Sequence, residues 1–248
     1  MKPFNLILDF LLLFSNDILL MLISTMIYIV SKRDDYKQLV LILLFVMVFK
    51  TFLKDLFKIP LPMSSPSLNY AFPSGHIYFS TVFYFWIAFY KQSLKFGVFA
   101  SIVLFLTSFA IIFKGYHYFS EVIFTFLFGI ATIVIFNKLF VFIEERLNIF
   151  LFISCIFYIL HVYVFEKNKI DSLIGAYGTI GFILGSLVNQ VHNKIFTFLF
   201  SILGLISFYI FTPDVKDFIK GVQWSFIFFM PPCVRFIKDR IAKYLSNF

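Results

Sequence analysis

The sequence predicts an all-α fold, a polytopic transmembrane helix bundle of about eight or nine spans, and three observations carry that reading. Apolar residues make up 61% of the chain and charged residues only 14%, where a soluble domain is about half apolar and a quarter charged. Mean hydropathy is +0.94, so in water the chain would expose large apolar patches. The apolar residues are also gathered into long runs broken by short polar stretches. The 40 Phe and 13 Tyr suit lipid-facing and interfacial positions.

The runs fall near 4–30, 38–57, 73–90, 96–113, 119–137, 149–165, 173–190, 196–212 and 222–237. The first is longer than the apolar core of a signal peptide and has no small-residue cleavage site, so it reads as a retained span. Asp9 and Asp17 interrupt it. Asp17, near its middle, implies either a buried polar contact or a kinked or shifted helix. The second run ends in Lys50 and Lys54; Lys50, one turn before Lys54, either belongs to the same site or snorkels to the interface, the favoured reading. The sixth carries His161, expected as a hydrogen-bonded structural residue. In the seventh, Gly175, Gly178, Gly181 and Gly185 indicate close helix packing, since small residues let backbones approach. Pro231-Pro232 should interrupt the ninth, because proline lacks the donor that helix continuation needs.

Net charge is +8. The cations lie in short loops and the tail, which points to topology and anionic headgroups and away from nucleic acid. With the break at 31–37 cytoplasmic, alternate breaks and the tail carry twelve cations against nine on the other face. That margin is small, but Arg33, Arg146, Arg235 and Arg240, all the arginines, fall on the cytoplasmic side. The tail 236–248 has mixed apolar and basic spacing that suits either an interfacial helix or a plain polar end. His192 reads as a bystander. Cys155 and Cys233 sit in apolar runs without metal-ligand spacing and read as packing residues.

Three segments put ionisable residues where a membrane protein tolerates few. Lys54-Asp55-Leu56-Phe57-Lys58-Ile59-Pro60-Leu61-Pro62 closes the second run. Pro73-Ser74-Gly75-His76 opens the third. Lys114-Gly115-Tyr116-His117-Tyr118-Phe119-Ser120-Glu121 joins the fourth to the fifth. The topology above puts all three on the non-cytoplasmic face.

In order and spacing these segments resemble the signature motifs of the PAP2 (type 2 phosphatidic acid phosphatase) superfamily: Lys-x6-Arg-Pro, Pro-Ser-Gly-His and Ser-Arg-x5-His-x3-Asp. Lys54 and Pro62 stand eight apart, Pro73–His76 matches completely, and His117 and Glu121 stand four apart. No internal repeat or linker divides the chain. Residues 1–248 therefore read as one membrane domain, with a PAP2-like core at 38–140 and additional spans at 149–237.

The resemblance implies that His117 attacks phosphorus and forms a phosphohistidine that water resolves. Glu121, on the same helical face, would fix the His117 tautomer. His76 would protonate the leaving oxygen. Ser74 and the Gly75 amide, at a helix N-terminus, would hold phosphate oxygens, and Lys54 would add positive charge. The family works without a metal, and no ligand cluster or cofactor motif argues otherwise. The departures are Leu61 and Ile111 where the motif arginines would stand, Ala110 for the serine before the second of them, and Glu121 for the aspartate. Arginine binds phosphate bidentately as lysine does not. Lys58 and Lys114, each one helical turn from a vacated position, are the expected substitutes, with interfacial snorkelling as the alternative.

The expected function is hydrolysis of a lipid phosphate or pyrophosphate on the outer face of a bacterial inner membrane. Two readings share the fold: a phosphoryl or headgroup transferase, and an inactive relative that binds lipid phosphate. An outside N-terminus and extra spans after the third motif also look like the glucose-6-phosphatase branch, by topology alone. A channel or transporter is disfavoured, because the ionisable residues gather at one face.

Overall fold

The computed structural model describes residues 2–31, 35–62, 70–143, 147–165, 170–190, 220, 222–225 and 227–233. Every regular element among them is helical: α1 Lys2–Leu13, α2 Asp17–Val30, α3 Tyr36–Phe57, α4 Gly75–Lys91, α5 Leu94–Phe113, α6 Phe119–Ile143, α7 Leu147–Phe165 and α8 Ile170–Gln190. Residues 222–225 and 227–233 are also helical.

The hub is α3. Leu39 to Leu44 are all buried without exception, and a helix apolar all round belongs inside a bundle. It packs against α2, α4, α7 and α8, while α4 also meets α5 and α6. The outward side chains of α5 and α6, among them Ile102, Phe105, Phe109, Phe124, Leu127 and Ile135, are exposed. That is the surface a lipid-facing helix presents. Three stretches are long and apolar enough to cross a membrane: Phe4–Val30, Leu94–Phe113 and Phe119–Leu139. The sequence reading of eight or nine spans thus meets three that qualify among the described residues. Of the other helices, α3 carries Lys37, Lys50, Lys54 and Asp55, and α4 has only 17 residues.

The first apolar run is not one helix. It breaks at Phe14–Asn16, where Asn16 adopts an extended conformation and its side chain accepts from the Leu19 amide. At 1.5 Å per residue α1 and α2 are only about 18 and 21 Å long, so neither half alone crosses a hydrocarbon core of about 30 Å. The Tyr84 hydroxyl donates to the Phe14 carbonyl at 2.9 Å and pins the break to α4.

The glycines of α8 pack as their spacing implies. A Cβ at Gly175 would stand 2.7 Å from the Leu44 carbonyl oxygen of α3, and one at Gly181 would overlap the Ser225 carbonyl. The expected interruption at Pro231-Pro232 does not appear, since the helical stretch 227–233 runs through both prolines. Gly185 opposite gives the ring room, with Pro232 Cγ 3.1 Å from where its Cβ would stand. The run at 196–212, the tail at 236–248, His192 and all four arginines lie outside the described residues.

Candidate functional site

The α5–α6 turn is built by a capping motif. The Gly115 amide donates to the Ile112 carbonyl at 2.9 Å, and the Tyr116 amide to the Ile111 carbonyl at 3.0 Å. This is the paired pattern of a Schellman cap, which needs a left-handed residue after the cap. Gly115 supplies it at φ 69°. The chain therefore reverses sharply, and His117 stands immediately before the first turn of α6.

There the His117 Nδ1–H donates to Glu121 Oε2 at 3.0 Å, and the Tyr118 amide donates to the same oxygen at 3.1 Å. A carboxylate accepts only, so Nδ1 carries the hydrogen and Nε2 keeps its lone pair. Burial, reinforced by the charges of Lys54 and His76, pushes the His117 pKa down to about 3. The ring is neutral at physiological pH, which is the state a nucleophilic imidazole requires.

His76 and Lys54 are therefore close enough to His117 to act on it electrostatically. The second segment enters α4 through Ser74, an extended N-cap residue whose side chain makes no capping bond. Its amide donates to Thr125 Oγ1 of α6 at 3.0 Å. The Ser74 hydroxyl is buried without a hydrogen-bond partner among the described residues. An uncapped helix start beside an unsatisfied hydroxyl is suited to an anion. His76, one residue into the helix, is bonded through Nδ1 to the Ser15 carbonyl at 3.0 Å.

Lys50 does not snorkel. It is buried, paired with Asp17 of α2 and 3.0 Å from Asp171 Oδ2 of α8. Its Nζ is 3.7 Å from the point a Cβ on Gly75 would occupy. A buried ammonium needs charge partners to be tolerated, and two carboxylates from outside α3 provide them. Asp171 in turn feels the charges of Lys54 and His76. Lys50 thus lies directly beneath the Pro-Ser-Gly-His turn, tying α2, α3 and α8 together at that point.

Residues 35–144 match the family model described as the PAP2 superfamily. This segment belongs to the PAP2 superfamily. Nothing matches among curated proteins or solved structures. The match and the apolar helices together point to a membrane protein related to phosphatases.

Within the PAP2 segment the two arginine positions differ from the motif in instructive ways. Ile111 is fully buried in an apolar cluster with Ile77 and Val122, and a guanidinium there would lose its hydration. Leu61 is half-buried at the end of the described loop. Of the expected substitutes, Lys58 is exposed, with Nζ 5.9 Å from the centre of the Phe165 ring of α7. Lys114 pairs with Asp9 of α1, whose hydrogen bond holds its pKa above the ordinary lysine value, and it lies over Tyr116. None of these three contacts is to His76 or His117.

The sequence reading did not find Asp171, the Ser15 carbonyl or the Asp55–His161 pair as a unit. The signal available was a set of charged residues inside apolar runs, which marks buried pairs but not who pairs with whom. His161 is the hydrogen-bonded histidine expected, with Nε2 2.7 Å from Asp55 Oδ2 and both side chains sealed from solvent.

Proposed function

We propose that the protein hydrolyses a lipid phosphate or pyrophosphate through a phosphohistidine at His117, on the non-cytoplasmic face of the membrane. The observation that carries this reading is the neutral His117 ring, hydrogen-bonded at Nδ1 to Glu121, with Lys54 and His76 acting on it electrostatically. In the first step His117 Nε2 attacks phosphorus and the P–O bond to the lipid breaks. His76 Nε2 gives its proton to the leaving oxygen. His76 then takes a proton from water, which attacks phosphorus, and the P–N bond breaks to release inorganic phosphate. Glu121 stabilises the positive charge that the ring carries while it is phosphorylated. Lys54, the Ser74 hydroxyl and the amides at the start of α4 hold the phosphoryl oxygens.

A lipid substrate is supported by the surroundings of Glu121. It lines a cavity of about 720 Å³ together with Phe57, Pro60, Phe72, Phe124, Leu127 and Ala131. An acyl or isoprenyl chain matches that lining. Binding of lipid phosphate without turnover is the second reading, favoured by the apolar burial of Ile111 where a phosphate-binding arginine would stand. Phosphate release by purified protein, without added metal, from a panel of lipid phosphates, pyrophosphates and a sugar phosphate separates the two. Release that His117→Ala abolishes is the expected result. Tight binding with no release across the panel would replace the first reading by the second, and acceptor-dependent consumption without free phosphate would indicate transfer.

A further inference from the structure

The break in the first apolar run has a chemical counterpart in His76. In a continuous α-helix the carbonyl of residue 15 would accept from the amide of residue 19. Here the Leu19 amide donates instead to Asn16 Oδ1 at 3.0 Å, and the regular ladder resumes one residue later, from the Leu20 amide to the Asn16 carbonyl. The Ser15 carbonyl is thereby released from the helix and accepts from His76 Nδ1 at 3.0 Å. A carbonyl can only accept, so this contact requires the hydrogen on Nδ1 and directs Nε2 away from Ser15.

Two further contacts hold the break in place. Tyr84 fixes the Phe14 carbonyl, and Asp17 pairs with Lys50 beneath Gly75. Both neighbours of the Ser15–Asn16 pair are thus tied to α3 or α4, and the carbonyl stands at a set distance from the ring.

We infer that Asn16 is a positioning residue for the proposed general acid: by capping α2 it withdraws the Leu19 amide from Ser15, and the freed carbonyl fixes the tautomer and aim of His76. The inference rests on the phosphatase reading for its kinetic consequence, but not for its structural one. Asn16→Ala returns the Leu19 amide to the Ser15 carbonyl and loosens His76. Asn16→Ser keeps a capping oxygen, since Asn and Ser are comparable N-caps, and preserves the arrangement.

The kinetic test compares an alkyl phosphate, whose leaving oxygen needs a proton, with p-nitrophenyl phosphate, whose leaving group departs without one. Asn16→Ala should lower alkyl phosphate turnover by about tenfold or more, within the range general acid catalysis supplies, and p-nitrophenyl phosphate turnover by less than about threefold. Asn16→Ser should restore both. Equal losses on the two substrates, or none on either, would overturn the inference, because a merely structural defect does not distinguish leaving groups. The second measurement needs no activity. Nitrogen-15 spectra of histidine-labelled protein, recorded at about pH 8.5 where histidine is ordinarily neutral and assigned with His76→Gln, report the tautomer directly. The Nδ1–H form in the wild type, mixed in Asn16→Ala, is expected. The Nε2–H form in the wild type, or an unchanged spectrum in the variant, would overturn it. A wild type that turns over neither substrate while showing the expected spectra would refute the phosphatase reading and leave the positioning role intact.

Discussion

Two histidine–carboxylate pairs stand among the described residues of this bundle, and they are opposites. His117 and Glu121 are four residues apart, formed within one turn at the start of α6. His161 and Asp55 come from α7 and α3, 106 residues apart. The first pair is 10% and 7% exposed and lies within the influence of Lys54 and His76. The second is sealed, with the Phe165 ring centre 5.8 Å from that of His161. The same two functional groups therefore serve different ends. One keeps a nitrogen lone pair where a substrate can reach it, and the other joins two helices where no substrate can.

The comparison breaks most sharply at the rings. His117→Ala should reduce phosphate release by at least on the order of 10³, as loss of a nucleophile does. His161→Ala should leave turnover per folded molecule unchanged. Comparable losses in both, measured on protein matched for folded fraction, would erase the distinction. Stability should show the reverse order. His161→Ala leaves Asp55 buried without its partner and should cost about 3–5 kcal/mol, read as a lowered thermal midpoint in detergent. Glu121→Gln, which keeps an acceptor beside His117, should cost no more than about 1 kcal/mol of stability.

Acid sharpens the contrast further. With a folded-state pKa of about 3 against an ordinary value of 6.5, His117 binds protons more readily when the chain is unfolded. Its contribution to stability is whole above pH 6.5 and falls as the pH drops from there toward 3. His117→Ala should flatten that part of the stability profile, as followed by thermal unfolding across the range. The same ring stays neutral in the folded enzyme well below pH 6.5, so any acid loss of turnover near pH 5 belongs to another group, and its midpoint should move when that group is replaced around an intact His117. The smallest effect belongs to Lys58, whose ammonium faces Phe165. Lys58→Met should change turnover less than about twofold and stability by at most about 1 kcal/mol, the range of an exposed cation–π contact.

What could be read from the sequence follows the reach of each interaction. His117 and Glu121 were legible because their pairing is local and helical spacing alone brings them together. The start of α4 was legible through Pro73–His76, and the packing edge of α8 through its glycine spacing. For Lys50 the less favoured of its two readings is nearer the structure, because nothing local distinguishes a snorkelling ammonium from one that meets two carboxylates across the bundle. The His76 partner was beyond reach for another reason. It is a main-chain carbonyl, which every residue possesses, and only the interruption of the helix makes this one available. Within 4–30 Asp17 allows a kinked helix as one of two readings, but nothing in the apolar pattern puts the break at Ser15-Asn16, although these residues include the cap that makes it.

The Asp17–Lys50–Asp171 cluster has a consequence for inheritance. Lys50 lies inside the segment shared with the superfamily, while both of its carboxylate partners lie outside it. The shared stretch is therefore not a detachable cassette. Cut out and expressed alone, it would keep a buried ammonium under the Pro-Ser-Gly-His turn with neither counter-charge. The flanking helices and the buried lysine have to be carried, exchanged or lost together.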